Sequence, residues 1–208
     1  MAKIFVEGEL SKFVSRTITD SYGGYRSEFM RRPALESVAE RSANFSFSPG
    51  KTHVFISHKH SELRDLETII DILENKYHVE CYIDSRDPFL PKKTSGVTAK
   101  RIKDIILKCD KFILLATNGA VTSPWCNWEL GLGDGEKDLD NVAILPIRYE
   151  RESEQAYKGH EYMDMYSTVS EGYSGVSAYG YSTTNPRPVL IVECKRRGRM
   201  LLEDWLHS

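Results

Sequence analysis

Lys111-Phe112-Ile113-Leu114-Leu115-Ala116, followed at positions 123 and 124 by Ser-Pro, is the stretch that decides the fold. The first part is a short, unbroken apolar run, the pattern of a strand buried on both faces. Ser123 is a helix N-cap residue, and Pro124 suits the first helical position because its missing N–H would have no partner there. A buried strand that turns within a few residues into a helix is the repeating unit of a layered α/β protein.

The same unit recurs on both sides of this stretch. Upstream, His53-Val54-Phe55-Ile56-Ser57 and Val79 to Ile83 are two more apolar strands. Between them, Ser61 to Tyr77 carries Leu63, Leu66, Ile70 and Leu73 at helical spacing. Thr98 to Cys109 is a further helix, with Ile102, Ile105, Ile106 and Cys109 on one face, and Asp84 to Pro91 is a loop. Downstream, Val142 to Ile147 is a fourth strand. Alternating strands and helices with continuously apolar strands predict a doubly wound, three-layer parallel sheet. In such a sheet ligands sit at the carboxyl ends of the strands, here after Ile56, Ile83 and Ala116.

The flanks are less regular. Residues 1–50 mix Ser, Arg and aromatic residues, break at Gly23-Gly24 and end at the turn Ser48-Pro49-Gly50. They are read as an N-terminal extension packing on a main domain at 51–208, with one helix over Arg32 to Arg41. Residues 157–183, rich in Tyr, Ser and Gly, read as a long surface excursion. Val189 to Glu193 reads as a last edge strand, and Gly198 to Leu206 as a closing helix.

Composition narrows the function classes. The chain has 208 residues, 40% hydrophobic and 28% charged, with a formal net charge of −2. That balance gives no basic field for nucleic acid. The basic cluster Lys195, Arg196, Arg197, Arg199 is either a solvated turn or a phosphate or partner contact. No run has the length of a membrane span, and the first residues do not form a secretion signal. Cys81, Cys109, Cys126 and Cys194 form no C-x-x-C pair and sit beside apolar runs, as reduced thiols of a cytoplasmic protein do.

Three clusters converge at the strand tips. The first is Ser57-His58-Lys59-His60. The second is the loop Asp84 to Ser95, where Lys92 and Lys93 supply charge, and Thr94 and Ser95 supply hydroxyls ahead of a helix N-terminus. That combination suits a pyrophosphate, although a solvated loop with an ordinary cap has the same residues. The third is Ser123-Pro124-Trp125-Cys126-Asn127-Trp128-Glu129. Trp125 and Glu129 are i and i+4 and share a helix face. A carboxylate beside indole rings is suited to a sugar or nucleoside. The competing reading makes Trp125, Trp128 and Leu132 a core stripe and leaves Glu129 solvated. His58 and His60 lack a third ligand at metal spacing, and Cys126 lacks an identifiable base. The glycines at 131, 133 and 135 follow a helix and do not match a P-loop.

At these residues the sequence resembles the TIR (Toll/interleukin-1 receptor) domain family. The resemblance is carried by Val54-Phe55-Ile56-Ser57-His58, Tyr82-Ile83-Asp84, Thr94-Ser95 with Thr98-Ala99, Lys111 to Leu115, and Ser123 to Gly131. Its Trp-x-x-x-Glu-Leu-Gly form is similar to prokaryotic members of the Thoeris antiphage type. The resemblance implies a flavodoxin-like five-stranded parallel sheet and cleavage of NAD⁺ at the nicotinamide–ribose bond, with NAD⁺ as substrate and no cofactor or metal. It implies Glu129 as the catalytic carboxylate. Substrate contacts would come from Ser57, His58 and Lys59, from Asp84, Lys92, Thr94 and Ser95 in the so-called BB loop, and from Trp125, Cys126 and Trp128. Self-association through TIR surfaces and a separate effector answering to a cyclic ADP-ribose product are implied as partners. The alternative is a non-catalytic TIR interaction module. A deoxyribosyltransferase-like enzyme is a further rival. A receiver-like domain would need clustered acids where this chain has Ser57-His58-Lys59.

Overall fold

The computed structural model describes residues 3–14, 47–59, 63–84, 95–154, 157, 159, 161–174 and 186–208. The helix expected over Arg32 to Arg41 lies outside them. Among the described residues the strands are β1 (Phe5–Val6), β2 (His53–Ser57), β3 (Glu80–Tyr82), β4 (Lys111–Ala116), β5 (Val142–Arg148), β6 (Ser167–Tyr173), β7 (Pro188–Cys194) and β8 (Gly198–Leu201). The helices are α1 (Leu63–Asp71), continued by a π turn over Ile72–Lys76, α2 (Gly96–Lys108), the short α3 (Asn118–Val121), α4 (Pro124–Glu136) and α5 (Leu202–Leu206).

The sheet runs β3-β2-β4-β5-β6-β7-β8, with β1 paired to β5 off this path. Strands β3, β2, β4, β5 and β6 are mutually parallel, in the doubly wound order the sequence predicts. β7 and β8 then extend the sheet antiparallel. The chain leaves β2 for β3 on one side and returns to β4 on the other, so the crevice where strand order reverses lies between the carboxyl ends of β2 and β4.

Strand parity explains the unbroken apolar runs. Val54, Ile56, Ile113 and Leu115 face one layer, with Leu66, Ile70 and Leu73 of α1 and its continuation and Trp205 of α5. Phe55, Phe112 and Leu114 face the other, with Ile102 and Ile106 of α2 and Cys126 and Leu130 of α4. On this second face Tyr82, Phe55 and Phe112 stack across three neighbouring strands, with ring centroids 5.5 and 5.4 Å apart. β2 and β4 thus bury side chains in both directions.

Residues 3–14 join the first layer. Phe5 and Val6 pair with Ile147 and Arg148, and Phe5, Leu10 and Phe13 enter the core. Lys3 and Lys12 pair with Glu9 and with Glu171 of β6.

The structure differs from the sequence reading in the last quarter. Ser167–Tyr173, expected within a surface excursion, is the fifth parallel strand. Gly198–Leu201, expected to be helical, pairs with β7, and only Leu202–Leu206 is helix. Gly198 has φ +75° and opens β8 directly after the turn at residues 195–197. The basic turn there is paired: Arg196 and Arg197 reach Asp138 and Asp140, and Arg199 reaches Glu193. All four cysteines are free and buried. No described helix is long and apolar enough to cross a membrane.

Candidate active site at the strand tips

α4 starts as its sequence predicts. Ser123 Oγ accepts the Cys126 N–H, and Pro124 occupies the first turn. The helix buries Cys126, Glu129, Leu130 and Gly133, a stripe at i, i+3, i+4 and i+7. Gly133 lets the helix lie close on β4: a Cβ there would stand 3.0 Å from the Phe112 ring. The reading in which Trp125, Trp128 and Leu132 form the core stripe is therefore overturned. Those three are only partly buried, and Glu129 is 1% exposed.

Parity places its partner. Ser57, two residues beyond Phe55, points to the same face of the sheet that α4 covers. Ser57 Oγ donates to Glu129 Oε2 at 2.6 Å, and both residues are buried. Glu129 Oε1 accepts no hydrogen bond of normal geometry. A buried carboxyl oxygen left without a donor is costly and rare in a purely structural role.

The electrostatics are equally uneven. Burial pushes the Glu129 carboxyl well above the usual carboxylate range, and the charge of Asp84 pushes it further. Ser57 and the Trp125 side chain pull the other way. Asp84, two residues after β3, is itself buried, and its Oδ1 lies 3.9 Å from His58 Nδ1. His58 is buried at the end of β2, and its carbonyl accepts the Cys126 thiol at 3.4 Å. Burial holds that thiol above its ordinary pKa. Cys126 is thus a protonated tie between α4 and β2, not a nucleophile.

Ser57, His58, Asp84, Trp125, Cys126 and Glu129 therefore come together. Trp128 sits behind Trp125, with centroids 4.9 Å apart. Lys59 is exposed beyond the strand tip. Ser95 is committed to a capping box with Thr98 at the start of α2. Lys92, Lys93, Thr94 and His60 lie outside the described residues, so the pyrophosphate cradle does too. Among the described residues no group of three or more His, Cys, Asp or Glu is placed to hold a metal ion. The Ser57–Glu129 pair spans 72 positions and leaves no trace in local spacing. Its signals are the parity of β2 and the glycine four residues after Glu129.

A doubly wound α/β domain places its ligand-binding groups at the topological switch point, and in this chain that point holds a buried carboxyl. The TIR domain family profile matches residues 54–175, and the chain belongs to that family. It is also similar to the probable 3' cyclic ADP-D-ribose synthase ThsB' of Bacillus cereus (strain MSX-D12). The two are 26% identical over 172 residues, covering 81% of this chain and 84% of that protein. That similarity runs with the prokaryotic, Thoeris-type character of the motifs.

Proposed function

We propose that the protein cleaves NAD⁺ at the nicotinamide–ribose bond, with Glu129 at the reacting ribose, and releases a cyclic ADP-ribose signal in antiphage defence. The observation that carries this is the Glu129 carboxyl: buried, tied at one oxygen and unsatisfied at the other. Nicotinamide is a cationic leaving group. When the C1′–N bond breaks, its electron pair stays on the ring nitrogen and nicotinamide departs neutral. No acid has to protonate it, whereas an ordinary glycosidase needs a second carboxyl for that step. The site must instead oppose positive charge developing on the ribose. A fixed carboxylate beside indole walls, away from water, does so electrostatically.

The acceptor sets the product. Attack by water gives ADP-ribose, and attack by a hydroxyl or ring nitrogen of the same molecule gives a ring; water or a hydroxyl loses a proton on attack, whereas a ring nitrogen, which carries none, takes up the positive charge. The name of the Bacillus relative supports a cyclic product here. NAD⁺ is then substrate, no cofactor is required, and a separate effector would read the signal. Because Glu129 is 1% exposed, side chains at the crevice mouth must move before a sugar can reach it. Assembly of protomers through TIR surfaces would supply that movement, so dilution should lower specific activity.

Mass spectrometry of purified protein incubated with NAD⁺, with Glu129→Gln alongside, tests the reading. Nicotinamide and a cyclic product from the wild type only are expected. Intact NAD⁺ with the assembled wild type leaves an interaction module, and base exchange on deoxynucleosides would point to a transferase. The acid limb of kcat/KM should lie above the ordinary glutamate value of about 4.3, because Glu129 must ionise against burial and Asp84. In kcat the limb should move to lower pH, since the bound pyridinium favours the carboxylate.

A further inference from the structure

The first-loop residues Ser57, His58 and Lys59 form one group by resemblance, but the structure separates them: Lys59 is exposed, His58 is turned toward Asp84, and Ser57 is 1% exposed. We propose that Ser57 is a positioning residue for Glu129 and not a substrate contact: its hydroxyl holds Oε2 so that Oε1 alone is left for the ribose. This rests on Glu129 being the carboxylate at the reacting sugar.

A serine hydroxyl has one proton, and that of Ser57 is given to Oε2 across 2.6 Å. Hydrogen bonds to a carboxylate are short and strong, and one such bond restrains rotation about the terminal torsion of a glutamate. The anchor is rigid, because β2 is flanked by β3 and β4, and Ser57 itself pairs in register with Leu114. The other end is fixed by the Ser123 cap and by the close approach at Gly133. Two rigid elements therefore meet through this hydrogen bond, and it orients the carboxyl together with the Trp125 side chain of the same helix, which also favours the charged form. The same bond favours the ionised form, against burial and against Asp84. The titratable groups around this carboxyl among the described residues are Asp84 after β3, His58 at the end of β2 and Cys126 on α4 itself. None of them donates to Oε1.

The test uses full-length Ser57→Ala, Ser57→Thr and Ser57→Cys. The Glu129 carboxyl is titrated by carbon NMR in protein labelled at the glutamate carboxyls, its signal being assigned from Glu129→Gln. Steady-state kinetics with NAD⁺ run alongside. In Ser57→Ala the Glu129 midpoint should rise by about one pH unit, and kcat should fall roughly 10- to 100-fold with KM within about twofold. Ser57→Thr keeps the hydroxyl and should restore both. If the alanine variant does not fold, Ser57→Cys, with similar volume and a weak donor, should shift both in the same direction by less. A KM that rises at unchanged kcat with an unmoved midpoint would overturn the proposal and make Ser57 a substrate contact. Wild-type protein that leaves NAD⁺ intact would sink the enzymatic reading instead, while the titration still reports whether Ser57 controls Glu129.

Discussion

Each end of this sheet buries a charge-bearing side chain, and the two ends treat it in opposite ways. At the carboxyl ends of the strands, Glu129 is bound at Oε2 and left open at Oε1. At the amino ends, Lys111 begins β4 and is 2% exposed. Its ammonium donates to Asn141 Oδ1 at 2.6 Å and to Ser208 O and Oγ at 3.1 and 3.2 Å, and lies 4.9 Å from the centroid of the Trp205 ring. Burial, with nearby Arg197, lowers its pKa from 10.5 to about 8, but every direction in which it can donate is used. Between these two side chains the difference is satisfaction and not burial: Lys111 is fully paired, and the carboxyl proposed for chemistry is not.

The largest effect that would test this contrast is on turnover. Glu129→Gln keeps shape and can still accept from Ser57, so the fold should persist while product formation falls about 10³-fold, as when a major electrostatic contact is lost. A variant that still turned over NAD⁺ at more than a tenth of the wild-type rate would erase the distinction. Next in size is Lys111→Met, which should cost about 1–2 kcal/mol in denaturant unfolding by leaving the part-buried Asn141 Oδ1 without its donor, Ser208 being exposed to water. Its kcat per folded molecule should be unchanged. Because the folded pKa of Lys111 is depressed, the unfolded chain binds more protons between about pH 8 and 10, so wild-type stability gains there as pH rises. Lys111→Met should lose that gain.

The smallest effect has the opposite sign. The folded pKa of Glu129 is raised, so its contribution to stability is present at acid pH and is lost as pH climbs toward that pKa. Glu129→Gln should therefore melt a few degrees higher than wild type at about pH 8, and no higher at about pH 4. An equal shift at both pH values would mean that the carboxyl is not strained in the folded state.

Much of this contrast is legible in the sequence at the carboxyl end and little at the amino end. Continuous apolar runs at β2 and β4 fix a sheet covered on both faces, and Ser123-Pro124 fixes where α4 begins. Those features suffice to put Ser57, Asp84 and Glu129 at one crevice. The depth of Glu129 is not legible, because a stripe through two tryptophans outweighs one through a cysteine and a glycine on any hydrophobicity scale. Helix–sheet distance decides it, and Gly133 sets that distance. β6 is hidden for a related reason: Ser167-Thr168-Val169-Ser170-Glu171-Gly172-Tyr173 is polar and is made a strand by pairing with β5 and β7. β8 pairs with β7 against its own helical reading, a tertiary override of a four-residue segment.

The two rims of the sheet carry a last consequence. One is β3, three residues long, and the other is β8, four residues long with Arg199 at its second position. Neither offers the length of free backbone that a neighbouring chain needs to add itself as another strand. Among the described residues, joining protomers strand to strand is therefore disfavoured at both rims, and loops and helix flanks are the surfaces left for a second copy.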